Sequence, residues 1–127
     1  MIIPVIVWMA GAAVAAPASG PLDLSKAAIV FTDDAPMRER AAAMLQHEIR
    51  QRTGLNLDRV KGAADADRPA FVMGVIGAMP ADAPADLVPP DAADGFALRA
   101  VAGKPPRVYL VGHDDRGLLF AAGRLLR

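Results

Sequence analysis

The chain has no cysteine. That excludes disulfide cross-links, thiolate nucleophiles and cysteine-ligated zinc, but leaves the compartment open. Aromatic residues are few: Trp8, Phe31, Phe71, Phe96, Tyr109 and Phe120. Most fall inside apolar strand or helix patterns, where core packing is their default, so an aromatic platform for sugar binding is not indicated. Charge excess is lacking too. Fourteen basic residues balance fourteen acidic ones, and neither sign forms a block, which argues against a nucleic-acid or anionic-membrane surface. The longest apolar run, residues 2–14, holds roughly 13 residues interrupted by Pro4, short of the ~20 a bilayer span needs. A stable membrane anchor is therefore not expected.

At 127 residues there is room for one domain around one core. The apolar run leads into Ala13-Val14-Ala15-Ala16-Pro17-Ala18, small residues in the spacing that a signal peptidase reads. Residues 1–18 are read as a secretory signal, cleaved after Ala15 or Ala18, in preference to an anchor or a buried strand. No Lys or Arg precedes the run. The expected location is exported, periplasmic or secreted.

The mature part, residues 22–127, alternates strand and helix signals. Ala28, Ile29, Val30 and Phe31 form the heart of a buried strand. Asp34 can cap a new helix and Pro36 suits its first turn, so a helix is predicted from about Pro36 to Thr53. Ala42, Leu45 and Ile49 mark its apolar face, widened by Met37, Ala41 and Met44, while Arg38, Glu39, Gln46, Arg50 and Gln51 stay in water. Glu48 stands four residues before Arg52, the favourable order for an ion pair, and Gly54 supplies the left-handed stop. Residues 55–60 alternate apolar and polar and predict a half-exposed strand. Residues 70–76 predict a central strand covered on both faces. Residues 77–94, rich in Pro, Ala and Asp, are read as a long loop rather than an interdomain linker, which would leave strands on both sides without partners. Two further strands and a helix opened by Asp115 complete the chain. The predicted fold class is α/β (α+β): a mixed sheet of about five strands with two helices packed mainly on one face, in the order β-α-β-β-β-β-α.

Chemistry-bearing patterns are weak. His47-Glu48-Ile49-Arg50-Gln51 approaches the helical His-Glu-x-x-His of zinc hydrolases, but the second ligand is Gln51 and only His113 remains elsewhere, so His47 reads as a surface residue. His113-Asp114-Asp115 clusters metal-competent side chains; at a strand-to-helix turn it is more economically a turn and cap, with Asp114 or Asp115 accepting from free N–H groups. Asp33 and Asp34, or Asp82, Asp86, Asp91 and Asp94, could supply the paired carboxylates of a glycosidase, yet nothing fixes a pair. The first two suit a turn and cap, and the others lie in a mobile-looking loop. Gly74-Val75-Ile76-Gly77 lacks the Lys-Ser/Thr of a phosphate loop. Ser19 and Ser25 have no histidine partner or elbow context. No catalytic, cofactor-binding or metal-binding residue is assigned.

The final thirty-odd residues are more specific. Gly95-Phe96, Gly112, Asp115-Arg116-Gly117, Phe120 and Leu125-Leu126 make the chain resemble the N-terminal accessory domain of bacterial glycoside hydrolases, which precedes the catalytic barrel in β-N-acetylhexosaminidases and α-glucuronidases. The resemblance covers roughly residues 24–127. One departure is Ala121-Ala122, where relatives often carry Gly after the aromatic. The resemblance implies a fold sometimes described as zincin-like that binds no zinc, and catalytic carboxylates housed in the barrel. On this reading the partner is a catalytic barrel in the same polypeptide after Arg127, and a glycan is met only through it. The helix opened by Asp115 meets no stop signal before Arg127, and its Leu119 and Phe120 want a second partner. Two alternatives are carried beside this expectation: a free-standing exported interaction module of the same fold, and a small metal-dependent hydrolase using His113, Asp114 and Asp115.

Overall fold

The computed structural model describes residues 3–4, 21–22, 24–32, 36–80, 83–103 and 105–126. Two short strands, β1 (Ile3–Pro4) and β2 (Pro21–Leu22), pair antiparallel by themselves. The remainder of the expected signal lies outside the described residues, as do Ser19, Asp33, Asp34 and Asp82.

The main sheet has five strands: β3 (Ala28–Phe31), β4 (Asp58–Lys61), β5 (Ala70–Val75), β6 (Phe96–Val101) and β7 (Arg107–Gly112). Their spatial order is β4-β3-β5-β7-β6, parallel throughout except for β6, which runs antiparallel to β7. Helix α1 (Pro36–Thr53) connects β3 to β4, and α2 (Asp115–Leu125) follows β7. The mixed sheet, the two helices and their order agree with the sequence reading.

Side-chain alternation along each strand divides the interior in two. On one face Ile29, Phe31, Phe71, Met73, Leu98, Val108 and Leu110 meet Ala41, Ala42, Leu45 and Ile49 of α1 and Leu118, Ala121 and Ala122 of α2. The small alanines let both helices approach the sheet closely. On the other face Ala28, Val30, Val72, Ala97, Tyr109 and Val111 cluster with the buried Leu87, and Ala64, Met79 and Ala83 pack against them. This is why β5 reads as a continuous apolar run: all six of its residues are buried. Gly74 is required here, since a Cβ would fall 2.7 Å from Pro80 Cδ and 2.9 Å from the Ala78 carbonyl oxygen. The loop lies directly on the strand.

Local signals agree in part. Gly54 has φ of 77° and its N–H donates to the Arg50 carbonyl at 2.9 Å, closing α1 as expected. Glu48 and Arg52 pair at 3.6 Å. Two residues expected in water are instead half-buried: Arg38 reaches Asp115 of α2, and Gln46 Nε2 donates to the Leu57 carbonyl at 2.6 Å. Strand β4 begins at Asp58 rather than residue 55, because Leu55 and Leu57 drop into the core before the chain joins the sheet.

Candidate functional site

Gly95, Gly112, Asp115, Arg116 and Gly117, among the residues that carry the sequence resemblance, converge on one node, where β7 turns into α2 against the start of β6. Gly112 ends β7, and a Cβ there would clash with the Asp114 carbonyl and the Leu118 amide. The chain turns this sharply only because that position has no side chain. His113 N–H then donates to the Gly95 carbonyl at 2.8 Å. Asp114, in extended conformation (φ −141°, ψ −176°), is the N-cap of α2. One carboxylate oxygen accepts from Gly117 N–H at 2.8 Å and the other from Asp94 N–H at 3.2 Å. These two backbone donors, Gly117 first and Asp94 second, hold the Asp114 carboxyl below the usual carboxylate range.

The Asp94 donor comes from a backbone in the left-handed region, φ 64°, a conformation that aspartate tolerates better than most residues. Its own carboxylate pairs with Arg116 at 3.2 Å. Gly117 lies so close to β6 that a Cβ would collide with the Gly95 carbonyl. Asp115, in the first turn of α2, pairs with Arg38 of α1 at 3.4 Å, tying the two helices together. Thus Gly95, Gly112, Asp114 and Gly117 fix α2 on the β6–β7 hairpin, and Asp115 fixes it to α1.

This geometry decides what the His-Asp-Asp turn does. The Asp114 carboxylate faces backbone amides and Asp115 faces Arg38, while His113 Nδ1 stands 3.8 Å from Asp91, beyond hydrogen-bond reach. The three side chains do not converge, and among the described residues no group of three His, Cys, Asp or Glu is placed to hold a metal ion. His47 is exposed on the outer side of α1. Phe120, by contrast, projects from α2 with 48% of its surface exposed, flanked by the partly buried Leu119.

A cleft of about 590 Å³ opens on the face opposite the helices, between residues 62–66 and Met79-Pro80. Its polar side chains are already engaged. Thr32 Oγ1 donates to the Ala78 carbonyl at 3.0 Å, and Arg107 donates to the Arg68 and Asp65 carbonyls. No carboxylate side chain lines it among the described residues.

One buried polar residue escaped the sequence reading. Arg99, in the middle of apolar β6, is only 4% exposed and bonds Asp86 of the 77–94 loop at 2.7 Å. That bond holds the Asp86 carboxyl below its ordinary range. A charge between Leu98 and Ala100 was the available signal. Its partner was not readable, because nothing in a loop of repeated Ala-Asp units says which aspartate will face the sheet.

No family model matches the chain, and no curated protein does. Among solved structures it is similar to a GH138 enzyme targeting pectin rhamnogalacturonan II, with a TM-score of 0.49 and 14% identity. The match covers 80% of this chain and 13% of that one.

Proposed function

We propose that this chain is the exported, non-catalytic N-terminal α/β domain of a carbohydrate-active glycoside hydrolase, supporting and orienting a catalytic barrel in the same polypeptide. One observation carries the reading: Gly95, Gly112 and Gly117, three of the residues on which the resemblance rests, seat α2 on the β6–β7 hairpin by backbone contact, with Phe120 turned outward. The backbone seating of α2 at these glycines supports the reading that the helix serves as a platform for a neighbouring domain. Phe120 presents an exposed aromatic ring on the outer side of that helix, a residue type enriched at interfaces.

The experiment is expression of the complete reading frame. A downstream barrel with glycosidase activity, whose thermal unfolding is coupled to this domain and loosened by Phe120→Glu, supports the proposal. A stop codon after Arg127 removes it. In that case a stable folded monomer or homodimer would favour the free-standing interaction module.

A further inference from the structure

Residues 83–93 cross the face of the sheet opposite the helices, between the Val75–Ala78 bridge and the Asp94 node. Three side chains hold the segment down. Leu87 and Pro89 are buried, Leu87 in one cluster with Val72, Tyr109 and Val111, and Asp86 bonds Arg99. Arg99 Nε and Nη2 are buried yet have no hydrogen-bond partner among the described residues, and these two nitrogens form the edge of the guanidinium that suits a two-oxygen acceptor. The Asp86 side chain that caps the remaining nitrogen is itself 61% exposed.

Packing around the segment is open as well. The 590 Å³ cleft lies on one side of Met79-Pro80, and a second, apolar cleft of about 360 Å³ lies on the other, lined by Ile76, Ala83, Pro84, Leu87 and Val88. Ile76 and Val88 are exposed at its rim. The helix-covered face shows the contrary: its buried residues come from both helices and four strands in one continuous cluster.

We propose that residues 83–93 form a strap that opens as a unit while the five-stranded sheet and both helices stay folded, with Leu87 and the Asp86–Arg99 pair as its latch. A buried donor without an acceptor is penalised relative to one in water. Opening therefore hydrates Arg99 Nε and Nη2 and offsets part of the cost of lifting Leu87. The open form presents a cation beside Tyr109, Val111 and Ala97 on a sheet face that is covered in the closed form. Segments with few buried anchors belong to the low-stability end of a protein's local openings.

The absence of cysteine makes the test direct. Val111→Cys and Leu110→Cys each place a single thiol in the chain, the first on the sheet face under the strap and the second under the helices. Labelling by a thiol reagent should be at least about 100-fold faster at position 111, and Asp86→Asn should raise the rate there by about 10-fold without changing the rate at 110. Hydrogen exchange of the Leu87 and Leu110 amides with and without Asp86→Asn gives the same comparison if either cysteine variant fails to fold. Equal rates at the two positions overturn the proposal, as does Asp86→Asn accelerating both alike.

Discussion

Gly117 and Gly123 lie in the same eleven-residue helix, and the structure predicts opposite outcomes for the same substitution. A Cβ on Gly117 would collide with the Gly95 carbonyl oxygen and stand 3.1 Å from its carbon and 3.3 Å from the Asp94 carbonyl carbon. All three atoms are backbone, so no rotamer change relieves the contact. The Gly95 carbonyl also accepts the His113 N–H bond at 2.8 Å, so moving it loosens the turn. Overpacking of this kind costs about 1–3 kcal/mol, partly offset by the ~0.5–1 kcal/mol gained when alanine replaces a helical glycine. Gly117→Ala should therefore destabilise by about 1–2 kcal/mol, lowering Tm by about 5–15 °C for a domain near 100 residues. A Cβ on Gly123 meets nothing within 4 Å. There the propensity gain acts alone, and Gly123→Ala should stabilise by about 0.5–1 kcal/mol. Thermal and urea unfolding followed by circular dichroism at the helix band measures both. A rise in Tm for Gly117→Ala, or a comparable fall for Gly123→Ala, would refute the claim that α2 is seated by backbone contact at Gly95.

Leu118 is fully buried between α2 and the sheet, so Leu118→Ala should cost about 2–5 kcal/mol in the same urea titration. Asp86 and Asp114 both have carboxyls held below their ordinary range, by the Arg99 guanidinium and by the Gly117 and Asp94 amides respectively. Their folded-state values lie below their unfolded ones, so the stability they confer is complete above the usual carboxylate range and is lost as pH falls through the lowered values. The urea midpoint should drop on acidification below about pH 4, and Asp114→Asn should flatten that slope while lowering the midpoint at neutral pH. Phe120→Ala should leave the unfolding midpoint of this domain within about 0.5 kcal/mol, because the ring is largely in water. A larger loss would show that the ring serves the domain's own core.

Elements governed by local chemistry were legible from the chain. Helix α1 from Pro36 to Thr53, the stop at Gly54, the buried strand Ala28–Phe31 and the start of α2 at Asp115 follow from periodicity, caps and glycine conformation, and all appear where expected. The choice between Asp114 and Asp115 as cap was settled by the turn at Gly112, which aims Asp114 at Gly117 N–H and leaves Asp115 for Arg38. Long-range pairings were not legible. The 77–94 loop looked mobile because its composition is polar and proline-rich, but composition does not reveal that Leu87 finds a sheet face with no helix over it. Nor does it reveal that Arg99 points to that face and takes Asp86 as its partner. Asp114 caps α2 because a strand-to-helix junction has free N–H groups to satisfy, whereas Asp115 is already in the first turn and faces Arg38.

The order β4-β3-β5-β7-β6 also sets a timetable for assembly. Strands β6 and β7 are neighbours in the chain and pair Leu98 with Leu110, and α2 follows at once, so this unit closes short loops. The parallel pairs Val30 with Val72 and Val72 with Tyr109 join strands separated by α1 and β4 in the first case and by β6 in the second, and they meet only after long loops have closed. We expect the C-terminal hairpin and α2 to form the nucleus, with the β3–α1–β4 unit docking later. Conservative truncations at Leu98 and Leu110 should then slow folding, while those at Val30 should mainly speed unfolding. The reverse pattern in chevron plots would place the nucleus at the other end of the sheet.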